Sequence, residues 1–407
     1  MLDLLLACRN LLRHRVRSAV SLAAISFGVV ALLLSGGFIE WIFFAMRRDT
    51  IHSLLGHIQV VRAGFLAGGA GDPFAFLLPE RSETLSTINS LPGVKMTTPR
   101  INFSGILSHA ESTISFLGQG VDPEKEEEVS RFLTISQGNG LSSADPKGII
   151  LGEGLAESLG VKPGDRIVLL VNTPSGGINA VEGHVRGLFY TLSKAFNDSA
   201  LRLPIKLARE LLRVTGSHTW VVLLNDTDAT KRVLTRLKGQ FPQSTSRFEF
   251  VPWYDLADFY NKTVNLYSRQ MYVVKIIIAL IVVLSISNTM TMTVLERTGE
   301  IGTLMALGFK SKKILVLFIM EGCVLGVIGG LVGVLIGTAL AVFISSIGIP
   351  MPPAPGMTHG FTGEILVTPW LATVAFFIAA STSTLASIYP AWRASRLKIV
   401  DALRHNR

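Results

Sequence analysis

The most pointed chemistry in this sequence sits in one short run, Glu296-Arg297-Thr298-Gly299-Glu300-Ile301-Gly302-Thr303-Leu304-Met305-Ala306-Leu307-Gly308. Two acids and a base crowd its start. Ile301, Leu304, Met305 and Gly308 then follow at the i, i+3, i+4, i+7 spacing of one helix face, and Gly308 is a natural helix terminator. A short amphipathic helix of this kind either lies on a membrane or inserts into a partner's groove, and acids rather than lysines at its start favour the partner. The chemistry implied is recognition, not bond-making. No GxxxxGK[ST] run exists to cradle nucleotide phosphates. Gly152-Glu153-Gly154 opens a short helix after a strand, but the third glycine and downstream acid of a dinucleotide loop are missing. The 8 histidines include no HExxH or HxH, and the 2 cysteines, Cys8 and Cys323, are too few for a disulfide framework or a CxxC metal site. No catalytic residue and no metal ligand is assigned.

The elements that must carry this recognition helix are membrane spans. Of 407 residues, 49% are hydrophobic and only 16% charged, against roughly 25% charged in soluble proteins, and the mean hydropathy is +0.46. Disordered, collagen-like and nucleic-acid-tail classes are excluded. Apolar stretches run from Ala19 to Ala45, Val273 to Val294, Ile314 to Ile349 and Leu371 to Ala391, each reaching or exceeding the ~20 residues a helix needs to cross a bilayer. The first is too long for a signal peptide's apolar region. The expected class is therefore a membrane α-helical protein with four transmembrane helices and a large α+β extracytoplasmic domain between the first and second.

The expected boundaries are a cytoplasmic tail 1–17, spans at 18–46, 271–295, 314–346 and 369–392, an extracytoplasmic domain 47–270, a cytoplasmic helix and loop 296–313, a short outer loop 347–368 and a cytoplasmic tail 393–407. The formal net charge of +9 follows topology rather than nucleic acid. Arg9, Arg13, Arg15 and Arg17 precede the first span; Arg297, Lys310, Lys312 and Lys313 lie between the second and third; Arg393, Arg396, Lys398, Arg404 and Arg407 follow the fourth. Residues 345–369 hold no Lys or Arg. Both termini are expected in the cytoplasm.

Within 47–270, Gly56–Val61, Ile114–Leu117, Gly148–Leu151, Arg166–Val171 and Trp220–Leu224 read as strands, and Glu83–Leu91, Gly154–Leu159, Ile205–Leu212 and Ala229–Leu237 as helices. Gly64–Gly71 reads as a flexible loop. In the third span, Gly322, Gly326 and Gly330 form one ladder and Gly329, Gly333 and Gly337 a second, together one broad face where another helix can approach closely. Glu321, two turns inside that span, and Glu40, near the outer end of the first, are intramembrane acids and functional candidates, both expected within reach of water.

The run ERTGEIGTLMALG resembles the ER-x-x-EIG-x-x-x-A-x-G signature of the permeases grouped with FtsX, MacB, LolC and LolE. Glu321-Gly322 with Gly326 through Gly337, Tyr389-Pro390-Ala391-Trp392-Arg393-Ala394-Ser395, Gly56-His57-Ile58-Gln59-Val60, Gly120-Val121-Asp122-Pro123 and Leu151–Asp165 are similar to further family motifs, and the resemblance covers essentially the whole chain. It implies an ABC transporter permease of the mechanotransmission type in the bacterial inner membrane, paired with a second permease copy or paralogue on two copies of a separate ATPase that binds ATP and Mg; this chain binds no cofactor itself. Glu296, Arg297, Glu300, Ile301 and Gly302 match the coupling signature and take that role by resemblance, with Leu304, Met305 and Gly308 completing the helix. A periplasmic carrier or adaptor and membrane lipids are further implied partners, and nucleic acid is not. The outer domain is expected in two lobes, 48–145 plus 245–268 and 146–244. Lipoprotein release or amphiphile export is the implied function; an FtsX-like transmitter or MacB-like efflux is the alternative.

Overall fold

The computed structural model describes residues 9–10, 13, 15–69, 71–191, 193–242, 247–353 and 358–397. The outer parts of both expected tails, 1–8 and 398–407, lie outside the described residues. The chain divides into two compact units: 1–44 with 263–350 and 362–407, and 45–262 with 351–361.

The first unit holds helices long and apolar enough to cross a membrane, within Arg15–Leu55, Asp258–Glu296, Ser311–Ile347 and Pro369–Ser395. Ile25, Val29, Leu33, Ile286, Met290, Phe318, Leu325, Ala375 and Ala379 share its core, while Leu280, Ile281, Leu284, Leu335, Val342 and Phe343 face outward. An apolar exterior of this kind is what a helix bundle presents to lipid. The helices run past the expected spans: the first ends at Asp49 and continues as a π-helical turn, Thr50–Leu55, and the second begins at Asp258 rather than 271.

The two glycine ladders do not make one face. Gly322, Gly326 and Gly330 meet the fourth helix at Ser387, Ser383 and Phe376; Gly329, Gly333 and Gly337 meet the first at Ile25, Val29 and Leu33. A Cβ at Gly326 would lie 2.7 Å from Ser383 Cβ, and one at Gly333 2.7 Å from Val29 Cβ. Two neighbours therefore need the glycines separately. Close approach also lets hydroxyls bridge the helices: Ser383 Oγ donates to Gly322 O at 2.6 Å, and Ser26 Oγ to Gly329 O at 3.0 Å.

In the second unit ten strands form one sheet: β1 (Ile58–Arg62), β2 (Val94–His109), β3 (Ser112–Val121), β4 (Thr134–Gly138), β5 (Gly148–Gly152), β6 (Arg166–Asn172), β7 (Ile178–Tyr190), β8 (Ala200–Pro204), β9 (Thr219–Leu224) and β10 (Phe248–Pro252). The order is β10-β1-β9-β2-β3-β8-β5-β7-β4, with β6 pairing β2 and β7. Helices Glu83–Ser90 and Thr230–Gln240 contribute to a core with Ile58, Val60, Trp220, Val222 and Phe250. Helices Glu153–Leu159 and Ile205–Leu212 contribute to another with Ile101, Phe116, Ile149, Leu169 and Leu201.

These cores correct the expected lobes. β9 and the Thr230–Gln240 helix belong with β1 and β10, not with 146–244, while β3 belongs with β5 and β6, not with 48–145. Strand β2 is the reason: its first half pairs β9, and its second pairs β3 and β6. One long strand thus serves both cores. Two further differences concern loops. Phe65–Gly68 is a helical turn within the expected flexible loop. Residues 351–361 join the second unit: His359 Nε2 lies 2.7 Å from Glu153 Oε2, its ring is 3.9 Å from that of Tyr190, and Thr358 Oγ1 accepts from Asn197 Nδ2 at 2.8 Å. The glycines at 152 and 154 are packing sites, since added side chains would meet Asn197 O and Asp198.

Candidate coupling site

The second long helix stops at Glu296, and Arg297 turns the chain into a separate helix, Thr298–Ala306. Thr298 Oγ1 donates back to Val294 O and Leu295 O at 3.0 and 2.7 Å, covering carbonyls that the break would leave open. At the far end Gly308 adopts φ 94°, a left-handed conformation that glycine takes without a Cβ penalty. Its N–H donates to Met305 O at 3.0 Å and that of Phe309 to Leu304 O at 3.1 Å. These are the two bonds of a Schellman cap, so the loop helix is closed at its C-terminal end.

Arg297 is buried, and its Nη1 donates to Glu321 Oε1 of the third long helix at 2.9 Å. Its Nε donates to Glu300 Oε2 at 3.2 Å, and its guanidinium lies 5.3 Å from the centre of the Phe318 ring. Glu321 is only 2% exposed and also accepts from Asn10 Nδ2 at 2.7 Å. The expectation that water reaches Glu321 is therefore corrected: it is a buried counter-ion. A buried pair of this kind stabilises chiefly against loss of one partner, because the remaining charge would stand uncompensated.

The remaining acids face arginines that precede the first span. Arg17 pairs with Glu296, and Arg13 Nη1 lies 3.0 Å from Glu300 Oε1. Asn10, Arg13 and Arg17 are spaced as one helix face, a signal legible in the sequence, where these arginines serve only as topology markers.

The expected apolar face is also turned. Ile301 and Met305 are 2% and 9% exposed and pack in the chain's own core with Val294, Ile314 and Phe318. Gly302 is buried and Leu304 half-buried. They are thus not free to fill a partner's groove. The exposed side carries Glu300, Thr303, Ala306, Leu307 and Gly308, with Leu307 75% exposed. Glu40 is half-buried on the first long helix and takes no part in the cluster.

A family model described as the MacB-like periplasmic core domain matches residues 18–240, and one described as the FtsX-like permease C-terminal matches residues 272–399. The chain is 24% identical over 329 residues to the lipoprotein-releasing system transmembrane protein LolE of Haemophilus influenzae, covering 77% of this chain and 78% of that protein. It is 25% identical to a LolC of the same description from Xylella fastidiosa, covering 76% and 79%. A macrolide export ATP-binding/permease protein MacB of Rhodopirellula baltica is 37% identical over 120 residues, 30% of this chain and 16% of that one. Among solved structures, the periplasmic region of MacB from Actinobacillus actinomycetemcomitans aligns with 53% of this chain at 16% identity, 94% of that chain and a TM-score of 0.36.

Proposed function

We propose a function from one premise: the chain belongs to the FtsX, MacB and LolC/LolE family of ABC transporter permeases, and it is a multi-pass membrane protein. On that premise the Thr298–Ala306 helix is the docking element for a separate ATPase. The observation that carries the reading is the buried Arg297–Glu321 pair. It ties the loop helix to the third long helix by an ionic contact, so a push on one is felt by the other. The docking surface is then the outward side, Thr303, Ala306 and Leu307, while Ile301 and Met305 hold the helix in place.

In this reading ATP binding and hydrolysis by the partner tilt the long helices, and the α+β domain between the first and second spans moves on the periplasmic side. The Lys and Arg bias of the loops supports cytoplasmic termini. Release of a lipidated or amphiphilic substrate is favoured over efflux, since the alignments with lipoprotein-releasing relatives extend over three-quarters of both chains. Two permeases, as copies or paralogues, would serve two ATPases, with a periplasmic carrier receiving the substrate.

The test is isolation of the full-length chain from native membranes in mild detergent. An ABC ATPase should accompany it in near-equal amount, and the chain freed of that subunit should hydrolyse no ATP. A chain that purifies from its own membranes with no ATPase contradicts the reading.

A further inference from the structure

A second buried ionic cluster lies in the outer unit, at the point where the first long helix ends. The π-helical turn Thr50–Leu55 closes at Gly56, φ 67°. The last carbonyls of a helix have no partner within it, and here two of them are taken by arginines from the sheet. Ser53 O accepts from Arg202 Nη2 at 2.7 Å, and Leu54 O accepts from Arg100 Nη1. Arg100 belongs to β2 and Arg202 to β8, the strands on either side of β3. From β3 itself, Gln119 Oε1 accepts from Arg202 Nε at 3.0 Å.

Glu126, on the short helix that follows β3, sits between the two guanidinium groups. It accepts from Arg100 Nη2 and Nε, from Arg202 Nη1 at 3.2 Å and from Ser130 Oγ. The three charged side chains are 2%, 6% and 1% exposed for Arg100, Glu126 and Arg202. Two positive charges meet one negative, and the partial negative charge of a helix C-terminus faces the excess.

Ionic clusters this deep are poor devices for stability alone, since apolar side chains of equal volume often do as well or better. They hold geometry instead. Each planar guanidinium grips the Glu126 carboxylate and a helix carbonyl at once, which a lysine ammonium cannot reproduce. Burial pushes Arg202 down to about 10, still charged at neutral pH, with Glu126 opposing that shift. No contact in the cluster involves a reacting group.

We propose that Arg100, Glu126 and Arg202 are positioning residues that lock the Thr50–Leu55 turn into the sheet, so that this turn and the sheet move as one body. The inference rests on the permease reading for its purpose but not for its test, which needs no ATPase. Paired spin labels on Ala45→Cys and Lys231→Cys, with Cys8 and Cys323 replaced by serine, report the distance from the segment that enters the turn to the rest of its own unit, in the full-length chain in detergent. The unmodified cluster should give a narrow distribution well below the melting temperature. Glu126→Gln should broaden it about twofold by local loosening while the melting midpoint stays high enough for a folded domain. Arg202→Lys should broaden it as well, since one ammonium cannot serve both partners. If Glu126→Gln does not fold, Gln119→Met, which removes only the Arg202 Nε bond, decides: a broader distribution supports the lock. Folded variants with unchanged distributions overturn it.

Discussion

Arg297 and Glu321 stand 24 positions apart in the chain and meet in a 2.9 Å ion pair sealed from solvent. One is the first residue after the second long helix; the other is buried within the third. Their pairing makes the loop helix a fixed projection of the bundle rather than a free linker.

Breaking that pair from one side should be worse than removing it whole. Arg297→Met or Glu321→Met leaves a buried charge alone, a loss of about 3–5 kcal/mol. The double variant leaves none and should recover much of the loss. Thermal unfolding of the four proteins in detergent measures the cycle. Additive losses would show that the two side chains act independently.

The glycine ladders make a prediction with a built-in control. Gly326→Leu and Gly333→Leu each drive a side chain into a neighbouring helix and should each cost about 1–3 kcal/mol as overpacking. Ala339→Leu, on an exposed position of the same helix, should be tolerated. Ala341 is unsuitable as a control, because it is 1% exposed. Equal melting temperatures for all three variants would remove the packing argument.

Acid should weaken the outer domain before most carboxylates titrate. His57 and His218 are buried; burial pushes each down to about 4, with the neighbouring His52 adding to the shift at His57. His57 Nδ1 accepts from Leu224 N–H at 3.1 Å, and His218 Nδ1 from Asn102 N–H at 3.2 Å, so both rings serve as neutral acceptors. The unfolded chain takes up these protons near pH 6.5 and the folded one only near 4. Stability is therefore full above about pH 6.5 and falls towards pH 4, by about 3 kcal/mol for each ring. Melting temperatures between pH 7 and 4 check this, and His57→Gln should flatten the slope. A slope unchanged by substitution at both positions would place the titration elsewhere.

Membrane orientation can be read directly with an impermeant thiol reagent on intact cells. A cysteine at Pro353 should react from outside and one at Thr303 should not. Pro353 is preferable to Gly360, where an added Cβ would lie 2.5 Å from Met351 O. The reverse labelling would invert the topology.

Much of the membrane part was legible because its signals are local. Long apolar runs and four-residue glycine spacing depend on near neighbours in the chain. The spacing showed that the glycines pack, but not that two helices share them, since that depends on how separate segments cross. The face of the loop helix was misread for a related reason. Ile301 and Met305 look like a partner's binding stripe in isolation, yet Phe318 and Ile314 arrive from the next helix to cover them.

In the outer domain, β2 escaped notice because it changes partners along its length and carries Pro99, a residue usually confined to strand edges and bulges. The Arg100–Glu126–Arg202 cluster was invisible for want of any local pattern: its ends stand 102 positions apart. The pairing of Arg13 with the loop helix and of Arg17 with the end of the second long helix was within reach, because Asn10, Arg13 and Arg17 share helical spacing.

The central claim is that the outward side of the loop helix docks the ATPase, and its sharpest measurement is the affinity of that subunit for a Leu307→Glu chain. Leu307 is exposed in the free chain, so the variant should fold, and a melting temperature equal to that of the native chain assigns any effect to the interface. A lone charge buried in the docked complex should weaken association by several kcal/mol, which amounts to hundreds-fold or more. Lys231→Glu, exposed on the outer domain, should bind as the native chain does. Undiminished ATPase binding by the Leu307→Glu chain would contradict the account.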